Sequence, residues 1–130
     1  MATAACELHH AFDHFDWTGF YRVDTERERE LVIGPYQGPH GCLRIAYDRG
    51  VCGAAARDKK IVIVDDVAAF PGHIACSAST RSEIVVPVLS SDGALRAVLD
   101  VDSNAPAAFQ DEDRVGLEAI CAELGALLGR

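Results

Sequence analysis

The chain has 130 residues, 49% hydrophobic and 25% charged, with 12 Lys and Arg against 20 Asp and Glu for a net charge of −8. That length predicts a single domain over residues 1–130 with one core, and an acidic balance without any basic block excludes binding to nucleic acid or an anionic membrane surface. No apolar run is long enough to span a bilayer, and Met1-Ala2-Thr3-Ala4-Ala5-Cys6 has neither a basic nor an apolar leader segment, so the expectation is a cytoplasmic protein.

In chain order, residues 5–14 read as a short helix, and Trp17-Thr18-Gly19-Phe20-Tyr21-Arg22-Val23 as an aromatic-rich strand. A charged turn over Asp24 to Glu30 leads to a second strand, Leu31-Val32-Ile33-Gly34, its hairpin partner. Gly34-Pro35-Tyr36-Gln37-Gly38-Pro39 carries turn residues. Leu43-Arg44-Ile45 predicts a short strand, Gly50 to Arg57 a short helix, and Ile61-Val62-Ile63-Val64 a buried strand. Residues 65–82, rich in Gly, Pro, Ser and Thr, form a connection longer than compact domains usually carry, and predict an ordered cover over a site. Glu83 to Leu89 and Leu95 to Asp102 are strands joined by the turn Ser90-Ser91-Asp92-Gly93. A final helix runs from Asp111, taken as its N-cap, toward Leu128, with Leu117, Ile120, Cys121, Leu124 and Leu128 on one face. The class is α+β: a central antiparallel sheet flanked by N- and C-terminal helices.

Five cysteines, Cys6, Cys42, Cys52, Cys76 and Cys121, are an odd and scattered set, unlike a secreted disulfide framework. Cys76 stands out, because Gly72-His73-Ile74-Ala75-Cys76-Ser77 is a loop that feeds a β-branched run. A loop thiol near backbone donors and a His73 imidazolium would ionise readily; a small buried hydrophobe is the alternative reading. Cys42 and Cys52 are also placed in loops, whereas Cys6 and Cys121 fall on helical patterns and read as core. There is no Cys-x-x-Cys pair, so a zinc site built from Cys42, Cys52, His73 and Cys76 is disfavoured and no metal is expected.

Asp100 and Asp102 are two apart on a strand and share one face. Side by side they repel, and one should hold its proton to a higher pH than a free aspartate does. With Glu83 they would make a proton-donating, ammonium-binding pocket; a solvated strand end is the alternative. Trp17 and Tyr21 also share a face, as a pocket wall or as ordinary sheet packing.

Taken in order, Trp17-Thr18-Gly19-Phe20-Tyr21, Gly34-Pro35-Tyr36-Gln37-Gly38, Gly50-Val51-Cys52-Gly53, Gly72-His73-Ile74-Ala75-Cys76, Ser82-Glu83-Ile84-Val85-Val86-Pro87 and Leu99-Asp100-Val101-Asp102-Ser103 resemble the free methionine-(R)-sulfoxide reductases. That family is built on a GAF domain. The resemblance implies that Cys76 is catalytic, Cys42 its principal resolving cysteine and Cys52 an auxiliary one. It places Glu83, Asp100 and Asp102 as substrate-contacting carboxylates and Trp17 and Tyr21 as an aromatic wall. Two features depart from the pattern: the segment before Trp17 is shorter than is usual in the family, and Ser77 stands where the family has aspartate.

The activity so implied is thiol-dependent reduction of free L-methionine-(R)-sulfoxide through a Cys76 sulfenic acid and a Cys42–Cys76 disulfide. A thioredoxin-like dithiol would recycle the enzyme, no cofactor would be needed, and a homodimer is allowed. The rival expectation is a GAF module that senses a small ligand without catalysis.

Overall fold

The computed structural model describes residues 1–73 and 77–129. Its elements are α1 (Ala2–Ala11), β1 (Trp17–Val23), β2 (Glu30–Gln37), β3 (Arg44–Ala46), α2 (Gly50–Asp58), β4 (Val62–Val64), β5 (Ser82–Leu89), β6 (Leu95–Ser103) and α3 (Asp111–Leu128), with one 3-10 turn at Val67–Ala69. The six strands form one sheet in the order β3-β2-β1-β6-β5-β4, and every neighbouring pair is antiparallel. The first strand therefore lies beside the last, a placement that no local sequence signal encodes.

Alternation along the central strands sends side chains to two cores, one on each face of the sheet. Phe20, Ile84, Val86, Val88, Leu99 and Val101 pack with α1 and α3. Trp17, Tyr21, Val85 and Val98 face α2, where they meet Val51, Cys52, Ala55 and Ala56. Helices thus cover both faces, and the second face carries the polar residues discussed below.

Several boundaries differ from the sequence reading, each for a physical reason. α1 begins at Ala2 and ends at Ala11 rather than spanning 5–14, because Ala5 and Leu8 are its buried positions. β2 does not stop at Gly34 but runs to Gln37. Pro35 is tolerated because an extra β2 residue forms a bulge opposite Phe20, and because β3 pairs only with Glu30–Val32, which leaves that edge of β2 open further on. β4 is an edge strand on which Ile63 is 38% exposed, so the run is not fully buried. The cap of α3 is Gln110, not Asp111. Its side chain accepts from the Asp113 backbone N–H, while the Asp113 carboxylate accepts from the Gln110 N–H at 2.8 Å. On α3, Leu117, Cys121 and Gly125 are buried, whereas Leu128 is 43% exposed and leaves the packed face.

Candidate active site

Three carboxylates meet on the α2 side of the sheet. In the β5–β6 ladder Glu83 lies opposite Asp102 and Val85 opposite Asp100. Opposed residues point to the same face, so Glu83, Asp100 and Asp102 converge. This depends on a bulge at Val88/Leu89. Leu89 pairs with Leu95, and continuing that register would set Glu83 against Val101, on the opposite face. Glu83 and Asp100 are 7% and 4% exposed, and Oδ1 of both Asp100 and Asp102 is buried with no hydrogen-bond partner among the described residues. The cluster is therefore a buried pocket and not a solvated strand end. Burial first, and then the neighbouring charges, hold all three carboxyls well above the usual carboxylate range. Such a cluster keeps its protons to a higher pH than a surface acid does.

Beside the acids stands an aromatic wall. Trp17 lies opposite Asp102 in the β1–β6 ladder, Gly19 opposite Asp100 and Tyr21 opposite Val98. The Trp17 ring stacks on Tyr21 (centroids 5.8 Å apart) and on Tyr36 (5.3 Å). Its Nε1–H donates to the Pro39 carbonyl at 2.8 Å, which fixes the plane of the ring. Gly19 leaves the room that ring needs: a Cβ there would sit 2.4 Å from the Tyr36 Cβ and 2.6 Å from the Trp17 ring. Burial, with the carboxylates and Cys52 adding to it, pushes the Tyr21 phenol far up, so it remains a neutral O–H.

From the other side α2 closes the site. Cys52, read as loop-placed although it falls inside the helix expected over Gly50 to Arg57, sits on the first turn of α2, 4% exposed, with its thiol donating to Glu83 Oε2 at 3.9 Å. Burial, then Asp100, Glu83 and Asp102, drive this thiol well up, which is the reverse of activation. Cys42 is half-buried against the same core and is not a free thiol; among the described residues the free ones are Cys6, Cys52 and Cys121. Cys121 is inert: burial pushes its thiol up to about 12. Cys6 is half-buried on α1, away from the cluster. Cys76 lies outside the described residues.

The 65–82 connection does reach over the site. His73, Ser77 and Thr80 line a cavity of about 40 Å³ together with Trp17, Tyr21, Cys52 and the three carboxylates. The Gly72 carbonyl accepts from the Gly50 N–H at 3.0 Å, tying the connection to the start of α2. Phe70 packs on the core as expected of a cover, whereas Pro71 is exposed. Burial lowers the His73 pKa, so the ring tends to be neutral and is a weak source of the expected imidazolium field.

The model of the GAF domain family matches residues 1–128. Over 92% of its length the chain is 48% identical to GAF domain-containing protein A of Dictyostelium discoideum, covering 73% of that protein. It is 40% identical to the free methionine-R-sulfoxide reductase of Saccharomyces cerevisiae, over 92% of this chain and 69% of the relative. The crystal structure of the Neisseria meningitidis free methionine-R-sulfoxide reductase with its substrate superposes with a TM-score of 0.89 at 49% identity, over 95% of this chain and 72% of that one. The chain belongs to the GAF domain family, with the free methionine-R-sulfoxide reductases among its relatives. The expected α+β GAF fold is thereby borne out.

Sequence reasoning missed several residues that line the GAF-domain cavity, namely His40, Gly41, Ile45, Arg49 and Thr80. Two were detectable. Gly38-Pro39-His40-Gly41 brackets a histidine with turn residues, and Arg49 immediately precedes a glycine-started helix. Tyr36, hidden in what read as a turn, is part of the aromatic stack.

Proposed function

We propose that this chain reduces free L-methionine-(R)-sulfoxide to methionine, with Cys76 as nucleophile and Cys42 as principal resolving thiol. The observation that carries the reading is the buried, proton-holding cluster of Glu83, Asp100 and Asp102 facing the Trp17–Tyr21 wall in one small cavity. A free amino acid is a zwitterion. The carboxylates offer one pole of the cavity to its ammonium, while Arg49 and the N-terminus of α2 offer the other to its carboxylate. The flat faces of Trp17 and Tyr21 would take the apolar side chain between them.

A sulfoxide loses its oxygen readily only when that oxygen gains a proton. A carboxyl of the cluster supplies it while the Cys76 thiolate attacks sulfur. The oxygen passes to the thiol, methionine leaves, and Cys76 becomes a sulfenic acid. Cys42 attacks that sulfenic acid, water departs, and the resulting disulfide is reduced by an external dithiol of the thioredoxin type. Cys52, buried with its thiol held protonated, is the slower auxiliary in resolution. A phosphate-bearing ligand of the sensor kind fits poorly beside three carboxylates.

The test is chemical. Purified protein with L-methionine-(R)-sulfoxide and dithiothreitol should release many equivalents of methionine, and Cys76→Ser should release none. Absence of methionine from the wild type, or equal release from Cys76→Ser, overturns the reading.

A further inference from the structure

Cys52 Sγ, one Glu83 carboxylate oxygen and one Asp100 carboxylate oxygen lie within 4.8 Å of one another, all on buried residues. The attack on sulfur uses the acids, while the Cys52 thiol, outside that step, points at them. We infer that Cys52, Glu83 and Asp100 form a binding site for a borderline-soft divalent cation of the Zn²⁺ class.

Three observations support this beyond the presence of acids. The first is Asp100 Oδ1, a buried acceptor with no hydrogen-bond partner among the described residues, on a residue only 4% exposed that lines the cavity. Such an orphan is costly unless something fills it. The second is spacing. Metal–oxygen bonds near 2.1 Å and metal–sulfur bonds near 2.3 Å in a tetrahedral ion set neighbouring ligands about 3.5 Å apart. Cys52 Sγ and Glu83 Oε2 are already 3.9 Å apart, so small rotamer adjustments close the set. The third is charge: a buried cluster of like-signed groups is relieved by a cation, and Asp102, opposite Glu83, adds another carboxylate or leaves a position to water.

Ligand type selects the ion. A thiolate with two carboxylates suits Zn²⁺ or Cd²⁺, whereas Mg²⁺ and Ca²⁺ take oxygen shells of six or more ligands. The bound ion would occupy the pole of the cavity that the substrate ammonium needs. The site itself stands whether or not the protein reduces a sulfoxide, because the test below involves no turnover.

The experiment is a titration of reduced, chelator-treated protein with Zn²⁺, Cd²⁺ and Mg²⁺, followed by calorimetry and, for Cd²⁺, by the thiolate-to-metal charge-transfer band. One equivalent of Zn²⁺ or Cd²⁺ should bind, and Mg²⁺ should not. Cys76→Ser should retain both the binding and the band. Cys52→Ser should lose the band and weaken Zn²⁺ on the order of 100-fold or more, because the binding energy is concentrated in few ligands. Asp100→Asn, which keeps the thiol, should weaken Zn²⁺ while leaving a residual band. A band that survives Cys52→Ser or disappears in Cys76→Ser would place the metal on other thiols and overturn the inference. So would equal affinity for Mg²⁺, or no binding by the wild type.

Discussion

Replacing Asp100 with Asn should stabilise the protein and disable it at once. Asp100 is 4% exposed, its Oδ1 has no hydrogen-bond partner among the described residues, and its carboxyl is raised well above the ordinary range by burial first and by Asp102 second. A raised folded-state pKa means that the native chain binds more protons than the unfolded one between the ordinary carboxylate range and the raised value. Stability is then greatest below the ordinary range and falls as pH rises through that window. Asn cannot ionise, so the variant escapes the fall. The two proteins should unfold at similar temperatures near pH 4 and diverge as the pH approaches 8. Each pKa unit of elevation is about 1.4 kcal/mol of folded-state cost removed. For a chain of this size, that corresponds to roughly 3–5 °C in Tm per kcal/mol. Turnover should fall by on the order of 10²–10⁴-fold if this carboxyl is the proton donor. Thermal unfolding by circular dichroism across that pH range, beside kcat from methionine release, makes the measurement. A lower Tm for Asp100→Asn at pH 8, or a gain independent of pH, would refute the electrostatic argument.

Other outcomes follow from the same geometry. Gly19→Ala should raise KM and lower stability by about 1–3 kcal/mol, because its Cβ would fall 2.6 Å from the Trp17 ring and force the stack apart; unchanged KM and Tm would show that the aromatic wall is not set by this contact. Gly125→Ala should cost at least as much without any specific effect on KM, since its Cβ would meet the Leu89 carbonyl oxygen at 1.9 Å, and denaturant unfolding reads it. Cys42→Ser should still form about one methionine per enzyme without reductant, because only recycling is lost, whereas Cys76→Ser should form none. Equal failure of both in a single-turnover assay would contradict the assigned thiol roles.

The strands were legible where β-branched and aromatic residues run without interruption. β1 matches Trp17–Val23 in full, and β5 and β6 each differ from the reading by a single terminal residue. The shared face of Asp100 and Asp102 followed from strand periodicity alone. That Glu83 joins them was expected from the family resemblance and not from strand periodicity, because the turn at Ser90–Gly93 sets a register that the bulge at Val88/Leu89 then shifts by one residue. Pro35 read as a turn because a bulge that accommodates proline leaves no mark in composition. Cys52 read as loop-placed because Gly50 reads as a turn residue, although the same stretch, Gly50 to Arg57, reads as a helix. Gly53 is where α2 approaches the end of β3, and a Cβ there would lie 2.6 Å from the Ala46 carbonyl oxygen. The cavity is built by β1 lying between β2 and β6, a long-range pairing invisible to any local window.

The most direct test of the central claim compares kcat/KM for free L-methionine-(R)-sulfoxide with that for its N-acetyl derivative, with the S epimer and a peptide-bound methionine sulfoxide alongside. Acetylation removes the ammonium charge that the buried carboxylates are proposed to hold, and losing one partner of a buried charge pair costs about 2–5 kcal/mol, or at least about 30-fold in kcat/KM. The free R epimer should be favoured by that factor or more over the N-acetyl and peptide-bound substrates, and it should also be favoured over the S epimer, which keeps the ammonium but presents its oxygen differently. Comparable values for the free amino acid and its N-acetyl form would contradict it.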